Sequence, residues 1–230
     1  GYTTVTHPWL DISAPANSVV MAALDGSVVY SGWSDADRYT VVLQHADNIL
    51  TIYRHNQKVL VKTGDKVKVF VHSNKNFRLP EDGATPIIMV GPGAGIAPFR
   101  AFWQQRTLDK AEGDMWFFLG NPHQATDACY EDEIDALVTA GKMRYSAAWS
   151  RDQDHKVYVQ HLMEQNAADV WKWLNAGAYF YMCGDAARMA KDVEAALLGI
   201  ISSQGNLSPE AAAEYLAAMQ KDKRYRKDVY

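Results

Sequence analysis

Three clusters in this 230-residue sequence combine residue types and spacings that could do chemistry. The first is Gly91-Pro92-Gly93-Ala94-Gly95-Ile96-Ala97-Pro98. Gly91, Gly93 and Gly95 let the backbone turn sharply and come close to a bound group. If a helix starts there, its free N–H groups and its dipole attract an anion such as a pyrophosphate. The spacing is G-x-G-x-G, not the dinucleotide fingerprint G-x-G-x-x-G. On the glycines alone, a tight strand-to-helix turn fits as well as a phosphate cradle. The second cluster is Ser150-Arg151-Asp152-Gln153 with Lys156, Tyr158 and Gln160 beyond it. Arg151, Lys156 and the Ser150 hydroxyl suit a monophosphate, and the Tyr158 ring could stack on a base. By itself this stretch reads better as a solvated loop in which Asp152 and Asp154 neutralise the two cations. The third is Cys183-Gly184-Asp185, with Asp192 two turns on and Asp228-Val229-Tyr230 ending the sequence. Taken singly, Cys183 is a small buried apolar residue and Asp192 a surface charge.

The elements that must position these clusters follow from periodicity. Ile87–Val90 is a short, fully apolar run, as a central parallel strand requires. Trp116–Gly120 is a second buried strand, and Met143–Trp149 and Tyr179–Cys183 are a third and a fourth strand. Between them Ala97–Thr107, Asp127–Ala140, Tyr158–Ala176 (as one helix or two) and Asp185–Gln204 have helical character, and Ser208-Pro209 opens one more helix with an N-cap and an N1 proline. Strand and helix alternating at this spacing predict an α/β fold, a doubly wound parallel sheet. Ligands of such sheets lie beyond the carboxyl ends of the strands, where all three clusters fall.

Before Pro80 the pattern differs. Val19–Ala23, Ser27–Ser31, Tyr39–His45 and Ile49–Tyr53 are short β-branched runs with turns between them, and Val59–Val71 continues in the same manner. This predicts a small antiparallel β-rich domain, a meander or half a barrel, over residues 1–68, followed by a second domain over 69–230. Residues 1–70 carry six basic and six acidic side chains, so the whole net charge of −4 sits in the remainder. That balance points away from a nucleic-acid-binding surface. No apolar run reaches the length of a membrane-spanning helix. The opening residues lack the basic and apolar regions of a signal peptide. Two cysteines, Cys129 and Cys183, provide neither a disulfide framework nor a four-cysteine zinc site.

Taken in order, the motifs from about Val69 to Tyr230 resemble the NADPH-binding domain of the diflavin reductases, the family of cytochrome P450 reductase. Within it they are most similar to the flavoproteins that serve sulfite reduction. The shared strings are Asn76–Pro80, Gly91–Arg100, Phe118–His123, Ala148–Gln153, Lys156–Gln160, Cys183-Gly184-Asp185, Arg188–Val193 and Asp228-Val229-Tyr230. The resemblance implies a ferredoxin-reductase type of NADP-binding domain that passes hydride from NADPH to FAD. It implies that Gly91, Gly93 and Gly95 hold the pyrophosphate. Ser150, Arg151, Lys156, Tyr158 and Gln160 hold the adenosine 2′-phosphate end, and Asp192 places the nicotinamide. Cys183 and Asp228 line the hydride path as its catalytic residues, and Tyr230 covers the flavin. The implied partners are a flavin domain or flavodoxin-like protein and a haemoprotein sulfite reductase subunit, in the cytoplasm. Two departures stand out. Ala94 occupies a place where the family usually has threonine. The family's flavin motif, Arg-x-Tyr-Ser followed by a Gly-rich stretch, is absent from residues 1–70, where Tyr30-Ser31-Gly32 comes nearest and lacks the arginine.

Residues 7–66 resemble a different family, the lysostaphin-type zinc endopeptidases of peptidoglycan. The similar strings are His7–Pro15, Ala23–Gly32, Tyr53-Arg54-His55 and Val61–Val67. The resemblance implies zinc ligands at His7 and Asp11 and an assisting histidine at His55. The family's third ligand comes from a His-x-His motif that this sequence lacks, with His72 the only nearby substitute, and Trp9 replaces a glycine. Two ligands hold a catalytic zinc poorly. The expectation is therefore an NADPH-dependent oxidoreductase module with no metal site, with a zinc endopeptidase-like or non-catalytic binding module as the alternatives.

Overall fold

The computed structural model describes residues 18–68, 74 and 76–230. The chain divides into two compact units, 1–73 and 74–230, where the sequence pattern puts the join at 68/69.

In the first unit, β1 (Gly26–Ser34), β2 (Arg38–Gln44), β3 (Leu50–Asn56) and β4 (Lys66–Val67) form one antiparallel sheet in the order β3-β2-β1-β4. The expected meander is there, with a register shift between Val28 and Tyr30. Two expected strands are corrected. Val19–Ala23 is irregular, and Val19, Val20 and Met21 are exposed. Their β-branched character has no neighbouring strand to pair with among the described residues. Among the described residues of the expected strand, Val59–Lys68, only Lys66 and Val67 pair, opposite Ser27 and Gly26. Gly64 turns the chain at φ +95. Its N–H then donates to the Val28 carbonyl at 2.9 Å.

The second unit is a five-stranded, wholly parallel sheet in the order β7-β6-β5-β8-β9. Its strands are β5 (Ile87–Val90), β6 (Met115–Asn121), β7 (Met143–Trp149), β8 (Tyr179–Gly184) and β9 (Tyr225–Val229). The helices are α1 (Ile96–Leu108), α2 (Gln124–Asp127), α3 (Glu131–Thr139), α4 (Val159–Gln165), α5 (Ala167–Asn175), α6 (Met189–Gly205) and α7 (Pro209–Lys221). Alternate strand residues enter opposite cores. Ile88, Val90, Trp116, Phe118, Phe180 and Met182 pack against α4 to α7. Ile87, Met89, Phe117, Leu119, Tyr181 and Cys183 pack against α1, α3 and Phe77. Burial on both faces is why these strands read as unbroken apolar runs, and each large side chain buried contributes about 1.5–3 kcal/mol. The doubly wound parallel sheet is as expected.

Two helix boundaries differ from the pattern. Asp127–Ala140 is not one helix: Ala128 turns extended at ψ 121 and ends α2 at Asp127, and Tyr130 at φ +58 then precedes α3. Tyr158–Ala176 forms two helices, one of the two expected arrangements, parted at Asn166. The helix expected from Asp185 starts at Met189, because the Asp185 carboxylate accepts the N–H groups of Arg188 (2.8 Å) and Met189 (3.1 Å). Ser208 caps α7 as expected, accepting from the Ala211 N–H at 3.2 Å. β9 lies at the sheet edge, and its Arg, Lys and Asp residues disguise it in the sequence.

Candidate functional site

The sheet order reverses between β5 and β8. From β5 the chain steps outward through β6 and β7, then returns to the other side of β5 for β8 and β9. The crevice at such a reversal is where open α/β sheets bind ligands. The loop after β5 and the end of β8 meet there.

The three loop glycines have different physical reasons. A Cβ on Gly91 would lie 2.6 Å from the Gly95 carbonyl oxygen and 2.6 Å from the Phe99 ring. A Cβ on Gly95 would run into the Cys183 carbonyl. Gly91 and Gly95 thus permit close packing. Gly93 takes φ +58, and nothing lies within 4 Å of an added Cβ. The Gly95 N–H donates to the Pro92 carbonyl at 3.1 Å, whereas the N–H groups of Gly93 and Ala94 find no acceptor among the described residues. Two unclaimed donors on exposed residues just before α1 fit a pyrophosphate.

On the β8 side, Cys183 pairs in register with Asp228 of β9. Cys183 is buried, and burial, then the charge of Asp228, push its thiol up to about 11. It is neutral at physiological pH and is no thiolate nucleophile. Tyr230 is tied by its backbone, donating to the Gly184 carbonyl at 3.1 Å and accepting from the Ala186 N–H at 2.9 Å. Its side chain is 70% exposed. Desolvation of the phenol, then Cys183 and Asp228 nearby, hold it above its ordinary range. Gly184 takes φ +140 with Pro92 and Met189 against it. The structure therefore brings Gly91, Gly93, Gly95, Cys183, Asp228 and Tyr230 into one region. Asp192 is exposed in the first turn of α6, where its N–H donates to the Arg188 carbonyl at 3.0 Å.

The second cluster follows β7. Ser150 is half-buried, Arg151 and Lys156 are exposed, Tyr158 precedes α4, and Gln160 lies in its first turn. Gly120, which the sequence reading left without a role, joins this end to the glycine loop. A Cβ there would meet Val159 at 3.0 Å and Pro92 at 3.1 Å. Asp152 departs from the solvated-loop reading. Its carboxylate accepts from the His123 ring at 2.7 Å and the Gln124 N–H at 2.8 Å. The Gln124 bond, then the His123 bond, hold it below its ordinary range. Arg151 and Lys156 have no ion-pair partner among the described residues. A shallow cavity of about 380 Å³ over Ala128 and Tyr130–Glu133 lies apart from these residues.

In the first unit, His7, Asp11 and His72 lie outside the described residues. His55 is exposed at φ +57. His45 is buried, with its ring nitrogens on the Asp25 carbonyl (2.8 Å) and the Thr51 hydroxyl (2.7 Å). Among the described residues no three His, Cys, Asp or Glu side chains gather as a metal site, and no helix is long and apolar enough to cross a membrane.

The second unit has a doubly wound parallel sheet with a glycine loop at its strand ends, and residues 89–195 match the family model described as the oxidoreductase NAD-binding domain. Residues 5–69 match the model of peptidase family M23. Among curated proteins, the chain is similar to the sulfite reductase [NADPH] flavoprotein alpha-component of Shewanella sp. (strain MR-4), 54% identical over 168 residues, 73% of this chain and 28% of that protein. The same component of Cronobacter sakazakii (strain ATCC BAA-894) is 53% identical over 166 residues, 72% of this chain and 28% of that protein. That of Neisseria meningitidis serogroup A / serotype 4A (strain DSM 15465 / Z2491) is 53% identical over 165 residues, 71% of this chain and 27% of that protein. The matched region is thus little more than a quarter of the length of these relatives.

Proposed function

We propose that the second unit binds NADPH along the carboxyl edge of its sheet and presents the nicotinamide for hydride transfer to a flavin. The observation that carries this reading is the pair of unclaimed N–H donors at Gly93 and Ala94, on a loop packed against Cys183 at the sheet's reversal point. Bound NADPH supplies a hydride. The chain's own residues bind and orient. The Gly93 and Ala94 amides hold the pyrophosphate. Arg151 and Lys156, with the Ser150 hydroxyl and Gln160, take the 2′-phosphate, and Tyr158 stacks on the adenine. Cys183, as a neutral buried thiol, and Asp228 shape the nicotinamide pocket without taking a covalent part. Tyr230, exposed and tied by its backbone to Gly184 and Ala186, covers the flavin face and swings aside. Asp192 orients the nicotinamide end from the first turn of α6.

The flavin motif is missing from the first unit's sequence, and in this reading the flavin is supplied by a flavin domain or flavodoxin-like partner in another segment or chain. The names of the relatives support a sulfite-reducing haemoprotein as the final acceptor. Two free cysteines suit the cytoplasm. Calorimetric titration of the whole chain with NADP⁺ and with NAD⁺ tests the reading. NADP⁺ binding at least about tenfold tighter is expected from charge-assisted contacts to the extra phosphate. Equal affinity for both would overturn it.

A further inference from the structure

The loops after β6 and β7 are laced together by four hydrogen bonds. Ser150 N–H donates to the Asn121 carbonyl at 2.8 Å, and Arg151 N–H to the Pro122 carbonyl at 2.9 Å. The Asp152 carboxylate then accepts from His123 Nδ1 at 2.7 Å and from the Gln124 N–H at 2.8 Å. A carboxylate only accepts, so His123 Nδ1 carries the hydrogen in this pair. The His123 side is fixed in turn: its N–H donates to Asp127 Oδ2 at 2.9 Å, and the Asn121 side chain donates to the Asp127 carbonyl at 2.7 Å.

This arrangement settles the charge of the loop. Asp152 follows Arg151 directly in sequence, and a free carboxylate there would compete with any phosphate for the guanidinium. Both of its oxygens are instead engaged across the gap, one on each hydrogen bond. Arg151 and Lys156 keep their charges unpaired among the described residues.

We infer that His123 is a positioning residue for phosphate selectivity: by holding Asp152, it fixes the loop that carries Arg151 and keeps the Asp152 charge off the guanidinium. The inference rests on the proposed phosphate role of Arg151 and Lys156. His123 acts through Asp152 and has no contact with cofactor in this account.

The test uses the whole chain and two probes that differ by one phosphate, 2′,5′-ADP and 5′-AMP. In His123→Ala the Kd for 2′,5′-ADP should rise about tenfold, the scale of one charge-assisted bond, while that for 5′-AMP stays within about twofold. His123→Asn should restore most of the loss, because its side-chain N–H stands near the place of Nδ1. Should His123→Ala fail to fold, His123→Leu is read instead, with the same selective loss expected, because it fills the space of the ring and offers no N–H to Asp152. Unchanged 2′,5′-ADP binding in these variants would overturn the inference, as would an equal loss for both probes, which marks a general loosening of the fold. A wild-type chain that does not separate the two probes would overturn the phosphate-site reading itself, and this inference with it.

Discussion

Gly95 sits so close to Cys183 that any β-carbon at position 95 would overlap the Cys183 carbonyl. This contact fastens the loop after β5 to the end of β8. The carbonyl belongs to a sheet strand paired on both sides, with β5 and β9, so it has little room to retreat.

Gly95→Ala should therefore destabilise the second unit. Forced overpacking costs about 1–3 kcal/mol, which lowers the melting temperature by about 3–10 °C in a chain of this size. NADP⁺ binding should weaken with it, because the loop must lift from the strand. Gly93→Ala is the control. Its Cβ meets nothing, and only the positive φ penalises it, by about 1–2 kcal/mol. Differential scanning calorimetry and NADP⁺ titration of both variants check this. Equal melting temperatures for wild type and Gly95→Ala would disprove the packing argument.

Arg151→Ala and Lys156→Ala should each weaken NADP⁺ by about tenfold or more, with NAD⁺ within about twofold, since each removes one cation from the phosphate site. Neither cation has an ion pair to lose among the described residues, so melting temperatures should hold. If both variants bound NADP⁺ as the wild type does, the phosphate would have to lie elsewhere.

Much of this was legible before the structure, and the reasons are specific. β5, most of β6 and β8 are buried on both faces, so Ile87–Val90, Met115–Leu119 and Tyr179–Cys183 carry no charged residue, whereas the edge strand β7 is only half-buried and mixes Arg144 and Ser146 into its run. β9 was not legible, because an edge strand needs charge to stay unpaired on its outer side and Arg226, Lys227 and Asp228 read as a tail. The break at Tyr130 and the late start of α6 were also hidden. The first rests on an extended Ala128 followed by Tyr130 at positive φ, the second on a side chain outcompeting a helical turn. In the site, the glycine run was visible, but not that Gly91 and Gly95 serve packing while Gly93 leaves space. The Asp152–His123 pair needed the strand order, since 29 residues separate the two.

The first unit makes a separate prediction. His45 is taken up by Asp25 and Thr51, no His-x-His occurs in the sequence, and a zinc site with an open position needs three protein ligands. The purified whole chain should carry well under one equivalent of zinc by plasma mass spectrometry, and exposure to a chelator should leave its melting temperature unchanged. Stoichiometric zinc that disappears in His7→Ala would instead make the first unit a metal site and revive a hydrolase reading.

Acid sensitivity should trace in part to Glu133. Its carboxylate accepts from Arg100 and, at 3.0 Å, from the Trp103 indole. The Arg100 hydrogen bond, then the indole, hold it at about 2 against an ordinary 4.5. A depressed carboxylate binds fewer protons folded than unfolded in that interval. Its stabilising share is complete above pH 4.5 and fades as pH falls towards 2. Glu133→Gln removes the titration, so its urea midpoint should fall less steeply than the wild type's between those values. The variant should also be the less stable of the two near neutrality, where the wild-type carboxylate ties α1 to α3. Because the pair is partly exposed, about 38% for Arg100 and 35% for Glu133, the difference should shrink in high salt. Parallel slopes for the two proteins would show that this contact has no share in the acid transition.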